Sequence, residues 1–311
     1  MADAQYLKYE EWSPQEATVE TLMQAREIVE DYLDEGMTLT LRQLYYQLVA
    51  RDLIPNETSE YNRLGRIVSR GRRAGYLPWN AIEDRNRFLR RNSHWDRPSS
   101  IIYGSASQFR YDLWEDQPLR VEVWIEKAAL EGVIEGICNS LDVPHIACRG
   151  YMSDTMMWEA SRRFRRWAED HNQYTVILHL GDHDPSGLDM SRDIEERLEE
   201  YMAGNITDIR RLALNMDQVN EYDPPPNPAK KTDSRYEGYL DEYGSTSWEL
   251  DALDPAVLRA LIEDNVMGLR DDDQWEESKR KQEEAREELQ LLADHYEEVT
   301  EYAREELGGS E

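Results

Sequence analysis

Apolar positions recur at helical spacing through the first quarter of the chain. "SPQEATVETLMQAREIVEDYLDEG" (13–36) predicts a first helix, with Ser13 as its cap, Pro14 in its first turn and Gly36 at its end. "TLRQLYYQLV" starts a second helix at Thr40, where Gln43 completes a capping box; the helix is expected to run to about Leu53, before the "IPN" break. A third helix begins near Ser59 in "SEYNRLGRIVSRGRRAG" and stops at Gly75. "YLPWNAIED" then reads as a short extended piece. Three helices with short connections and a trailing extended segment predict a winged helix-turn-helix domain over residues 1–100.

The pattern changes after residues 98–118, which read as a linker. "LRVEVWIEK" is a strand ending in Glu126, "AALEGVIEGICNSLD" a helix and "VPHIACRG" a strand. "SDTMMWEASRRFRRWAEDHN" is a helix capped by Ser153, and "YTVILHLGDHDPSG" a β-branched strand running into a turn. "SRDIEERLEEYM" (helix) and "ITDIRRLAL" (strand) follow. Strands alternating with helices predict an α/β domain over 115–268, a Rossmann-like parallel sheet with helices on both faces. Beyond 215 the pattern weakens. "YDPPPNPAKKTDSR" is a proline-rich loop holding Lys230 and Lys231, "TSWELDAL" is a candidate strand, and 255–267 a short helix. Residues 269–311 read as an acidic helical tail, with 16 acids against five bases from Asp271 onward.

The chain has 311 residues, enough for two domains, and 40% of them are hydrophobic, enough for packed cores. No apolar run approaches the roughly 20 residues of a membrane span, and the polar start "MADAQYLKYEEW" is no signal peptide, so a cytoplasmic protein without membrane contact is expected. The two cysteines, Cys138 and Cys148, form no CxxC pair and read as core residues. The net charge is −29, and only six of the 36 basic residues are lysines. An acid-rich, lysine-poor surface suits a halophilic cytoplasm; a merely acidic protein with a solvated tail is the alternative. Against that background, ten arginines between 61 and 97 face three acids, Glu83, Asp84 and Asp96. The concentration on the third helix, with Arg63, Arg66, Arg70, Arg72 and Arg73, points to the backbone of double-stranded DNA. The competing reading pairs those arginines with acids elsewhere.

Ligands of a parallel sheet bind at the carboxyl ends of its strands. Glu126 ends one strand there, and Asp182 and Asp184 follow another. Three carboxylates on one edge repel unless a hard cation joins them, and Mg²⁺ suits an all-oxygen set. The plainer alternative is a turn in which Asp184 or Ser186 caps the next helix. His179 and His183 read as structural.

These stretches, "VWIEKAAL" and "HLGDHDPSGLDM", resemble the two metal-binding motifs of a Toprim domain. Together with "TLRQLYY" they resemble the A subunit of type IIB topoisomerases and the meiotic double-strand-break transesterases, and the chain looks like a short stand-alone haloarchaeal-type relative. The resemblance covers roughly residues 38–200 and leaves the C-terminal third outside it. It implies that Glu126, Asp182 and Asp184 hold Mg²⁺ and that Tyr46 is the catalytic tyrosine. It also implies a 5′-phosphotyrosyl link, and a homodimer in which that tyrosine meets the metal site of the second subunit. No G-x-x-x-x-G-K-[ST] is present, so an ATPase partner, if one works with it, is a separate B-type subunit.

Helix geometry agrees on which tyrosine to choose. Leu41, Leu44, Tyr45, Leu48 and Val49 share one apolar stripe, which makes Tyr45 a core residue. Tyr46 is expected roughly 120° from the centre of that stripe, on the face of Arg42 one turn earlier. There Arg42 would hold a phosphate and favour the phenolate. Lys127 is placed to touch phosphate or to reach solvent, and Lys230 and Lys231 either contact phosphate from their loop or, the plainer reading, simply lie exposed in it. The leading expectation is DNA cleavage by tyrosine transesterification. A Toprim nuclease that hydrolyses DNA, and a catalytically inactive winged-helix DNA-binding protein, are the competing readings.

Overall fold

The computed structural model describes residues 5–34, 36–83 and 92–307. It opens with three helices: α1 (Glu16–Asp34), α2 (Leu41–Ala50) and α3 (Thr58–Arg73). Gly36 and Gly75 adopt φ of +76° and +78°, values that glycine reaches without a Cβ penalty, and so end α1 and α3. The α2 capping box forms as expected, Thr40 and Gln43 each satisfying the other's main-chain N–H. α2 stops at Ala50, earlier than Leu53, because Asp52 turns left-handed at φ +55°. Leu22, Ile28, Leu44, Leu48 and Leu64 build the core of this helical unit. The extended piece that follows contributes one parallel bridge, Leu39 to Ile82. Residues 84–91, with Arg85, Arg87, Arg90 and Arg91, lie outside the described residues.

The expected linker is instead folded. α4 (Pro98–Gln108) lies along the later helix α11 (Asp272–Asp294), and Trp114 is buried. Gln117 exchanges two hydrogen bonds with the main chain of Asp271, at 3.0 and 2.7 Å. Polar residues between two periodic segments read as a connector; here they pack on a helix more than 150 positions away, which local pattern cannot reveal.

The sheet unit runs β1 (Leu119–Ile125), α5 (Glu131–Ser140), β2 (His145–Ala147), α6 (Asp154–His171), β3 (Tyr174–Leu180), α7 (Pro185–Glu200) and β4 (Thr207–Ala213). All its pairings are parallel, in the order β2-β1-β3-β4. The strand side chains alternate between two cores. Val121, Val123, Ile125, Val176 and Leu178 pack with α5 and with α10 (Pro255–Met267). Trp124 and Ile177 pack with Phe164 of α6 and Leu198 of α7. The sheet therefore carries helices on both faces, which buries both sides of its strands. The remaining elements are α8 (Met216–Tyr222), β5 (Asn227–Pro228), α9 (Tyr236–Tyr243), β6 (Thr246–Ser247) and α12 (Tyr296–Leu307). The candidate strand "TSWELDAL" pairs with β5 through Thr246–Ser247, bridges His183 at Trp248, and then becomes a 3₁₀ turn, Leu250–Ala252. Among the described residues, no helix is long and apolar enough to cross a membrane.

Candidate active site at the carboxyl edge of the sheet

β1 and β3 are neighbours, in register from Leu119–Tyr174 to Ile125–Leu180. Their carboxyl ends therefore deliver Glu126, Asp182 and Asp184 to one edge, as expected. Each carboxylate is fixed through one oxygen. Glu126 Oε2 accepts from the Asp182 N–H at 2.8 Å, and Asp182 Oδ1 from the Leu250 N–H at 2.8 Å. Asp184 Oδ1 accepts from the Gly187 N–H at 2.7 Å, so Asp184 does cap α7. Glu126 Oε1, Asp182 Oδ2 and Asp184 Oδ2 have no hydrogen-bond partner among the described residues. Burial, then the Asp184 charge, raises the Glu126 carboxyl. Burial, with Glu126 overriding part of the help from Lys127, pushes Asp182 up to about 7. Among the described residues no three acid, histidine or cysteine side chains close around one point as they stand. An oxygen-donor set with one unengaged oxygen per carboxylate fits Mg²⁺, which keeps several waters and takes few protein ligands.

Arg211 of β4 lies beneath this edge. It donates to the carbonyls of Gly181 (3.1 Å), Asp182 (2.6 Å) and Gly187 (2.8 Å), binding both ends of the Asp182-x-Asp184 loop. No carboxylate among the described residues pairs with it directly, and burial lowers its pKa to about 10. Gly187 closes the loop: a Cβ there would lie 2.2 Å from the Asp182 carbonyl oxygen. Gly187→Ala is expected to cost ~1–3 kcal/mol by forcing the loop off β3, read by denaturant unfolding. An unchanged midpoint would show that the loop yields freely.

His179 is buried beside Ser191, its Nδ1 2.8 Å from the hydroxyl oxygen, consistent with a structural role. Burial, then Arg211, pushes its pKa from 6.5 down to about 3. The unfolded chain therefore takes up this proton first as pH falls. Stability held above about pH 6.5 should drop toward pH 3, at up to ~1.4 kcal/mol per pH unit from this group. Denaturant unfolding at several pH values should show a shallower acid limb in His179→Gln than in the wild type. Equal slopes would contradict this assignment.

Tyr46 corrects the sequence reading. Its ring is 4% exposed, not on an open face. The helical wheel puts it off the α2 stripe, but the 249–252 turn of the sheet unit covers that side. The Tyr46 hydroxyl donates to Glu249 Oε2 at 3.0 Å and accepts from Arg42 Nη2 at 3.2 Å, and the Arg42 guanidinium also lies over the ring, 5.6 Å from its centre. Arg42 favours the phenolate, as expected, but burial, then Asp251 and Glu249, outweigh it and raise the Tyr46 pKa to about 12. Tyr45 is core, as expected, its hydroxyl bound at Asn56.

Lys127 is half-buried and does not stand free. Its ammonium lies 3.1 Å from Asp182 Oδ1, 3.0 Å from Glu249 Oε2 and 2.9 Å from Asp251 Oδ1. Burial works against its charge, but Asp251, Asp182 and Glu249 outweigh it and raise its pKa. Arg42 Nε also pairs with Asp251, at 2.9 Å. One network thus runs from Tyr46 through Glu249 and Lys127 to Asp182, within one chain. Glu249, Asp251 and Arg211 escaped the sequence reading. The available signal for the first two was "WELDA", where acids alternate with apolar residues.

Beside Arg42 opens a cleft of about 520 Å³, with Gly65, Arg72 and Arg73 of α3 on one wall and Ala129 on the other. A second hollow, of about 460 Å³, continues it past Arg66 and Arg70. The arginines are partly engaged: Arg63 with Glu60 (2.7 Å), Arg70 and Arg73 with Glu10 (2.7 and 3.2 Å). Arg72 stacks on Trp79, and Arg66 has no acidic partner among the described residues. Lys230 and Lys231 are exposed in the loop between β5 and α9, and the entry to β5 is tied to the helical unit by Asn56 donating to Pro226 and Asn227.

No protein-family model matches the chain, and neither a curated protein nor a solved structure matches it.

Proposed function

We propose that the chain cleaves double-stranded DNA by transesterification, in the manner of a type IIB topoisomerase A subunit, with its helical unit acting as a winged-helix reader and its sheet unit as a Toprim domain. One observation carries this reading: the Tyr46 hydroxyl shares a hydrogen-bonded network with the carboxylate edge, and Arg42 of that network lines an arginine-rich cleft. Arg66, Arg70, Arg72 and Arg73, with Lys230 and Lys231, supply the cationic track for the phosphate backbone. Arg42 and Lys127 hold the scissile phosphate against the phenol. The Tyr46 oxygen attacks phosphorus and loses its proton; the bond from phosphorus to the deoxyribose 3′ oxygen breaks, and that oxygen takes a proton. The product is a 5′-phosphotyrosyl link, which conserves the bond energy for resealing. Glu126, Asp182 and Asp184 would hold Mg²⁺, which supplies charge neutralisation for the transferred phosphate and the departing oxygen. Cutting both strands needs two copies, hence a homodimer, and any ATPase is a separate polypeptide.

Hydrolysis by water, with Tyr46 structural, is favoured by one feature, the tightly held phenol proton. Supercoiled plasmid incubated with protein and Mg²⁺, then stopped with detergent, separates the two. Transesterification leaves protein covalently on the DNA ends; hydrolysis leaves free ends. Salt is varied, because screening weakens every phosphate contact.

A further inference from the structure

Three donors meet on one oxygen. Arg42 Nη2 lies 2.5 Å, Lys127 Nζ 3.0 Å and Tyr46 Oη 3.0 Å from Glu249 Oε2. A guanidinium, an ammonium and a phenol around one anionic oxygen make the donor set that binds a phosphate oxygen. We propose that this is a binding site for a backbone phosphodiester of DNA, and that Glu249 is its internal occupant, displaced when the strand binds. The inference rests on DNA being the substrate, as proposed above, and not on Tyr46 being the nucleophile.

Charge supports the exchange. The cluster sets Arg42 and Lys127 against Glu249, Asp251 and Asp182. A phosphodiester carries one negative charge, as the Glu249 carboxylate does, so substituting one for the other leaves the balance unchanged. Lys127 and Arg42 hold the Glu249 carboxyl at about 2 against the effect of its burial, so it occupies the site as a full anion.

Mobility supports it as well. The Glu249 side chain is 29% exposed, against 3% for Asp251 and 10% for Asp182. The backbone is pinned on both sides: Trp248 and His183 exchange two main-chain hydrogen bonds, and the Leu250 N–H is held by Asp182. The side chain alone can therefore turn out to solvent without disturbing the carboxylate edge. Position completes the case, because Arg42 lines the same cleft as Arg72 and Arg73. A strand lying along α3 would present its next phosphate to Arg42.

A fixed strut between the two units would behave in the opposite way. The test is anisotropy of a short labelled duplex with full-length protein in EDTA, where cleavage cannot occur. Removing an internal competitor raises the competent fraction. Glu249→Ala and Glu249→Gln are each expected to tighten duplex binding about 5–20-fold. Combining either with Arg42→Met should erase the gain. Glu242→Gln, an exposed acid of the preceding helix, should change affinity less than about twofold. Glu249→Gln keeps side-chain volume and hydrogen bonding, so it reports even where Glu249→Ala unfolds. Unchanged duplex affinity, a gain matched by Glu242→Gln, or tighter binding of inorganic phosphate alone would each overturn the proposal. Because the readout is binding, it stands apart from whether any covalent adduct forms.

Discussion

Tyr46→Phe is expected to reduce covalent protein–DNA adduct by at least about three orders of magnitude, while the duplex still binds. The substitution removes one oxygen and keeps the ring that fills the space between α2 and the 249–252 turn. Arg42 and Lys127 remain paired with Glu249 and Asp251, so no buried charge is orphaned. The stability cost should therefore be about 1–3 kcal/mol, for the two hydrogen bonds the hydroxyl makes to Glu249 and Arg42. Tyr45→Phe is the matched control. Its hydroxyl bonds Asn56 Oδ1 at 3.1 Å and the Glu57 carbonyl at 3.2 Å, on the turn between α2 and α3. It should cost similar stability and leave adduct formation intact. Cutting by Tyr46→Phe at the wild-type rate would assign the chemistry to water.

Trp275→Ala is expected to cost ~3–5 kcal/mol, the largest stability loss foreseen for a single side chain here. α11 is acid-rich and reads as a solvated tail, yet its first turns belong to the sheet's core. Trp275 is 4% exposed and meets Trp114 edge-on at 5.9 Å. Arg270 stacks on its ring at 4.7 Å, and the adjacent Asp271 exchanges hydrogen bonds with Gln117. The indole thus joins both ends of the sheet unit, and its removal leaves a cavity beside Trp114. Denaturant unfolding reads the loss. A change under about 1 kcal/mol would mean that α11 docks without contributing to the core.

What the sequence revealed was local. The Thr40–Gln43 capping box, the Ser153 cap, the glycine stops at Gly36 and Gly75 and the 255–267 helix are all set by residues within a turn of one another. So was the arrival of Glu126, Asp182 and Asp184 at one edge, because alternation of strand and helix dictates a parallel sheet. What escaped was long-range. The side of α2 that carries Tyr46 is solvent-facing only until residues 203 positions later fold over it. Glu249 and Asp251 look like ordinary surface acids until the sheet unit brings Arg42 and Lys127 to them. Arg211 looks like one more arginine in a strand, and nothing nearby in sequence says that it ties the carbonyls of Gly181 and Asp182. The linker failed for the same reason, since the partner of α4 is α11.

The mass of one peptide tests the central claim most directly. Protein trapped on plasmid with Mg²⁺ and detergent is digested with nuclease and then trypsin. The peptide from Gln43 to Arg51 holds both candidate tyrosines. Transesterification predicts a nucleotide remnant on this peptide, placed by fragmentation on Tyr46 and not on Tyr45. An unmodified peptide from a reaction in which the plasmid was cut would contradict it.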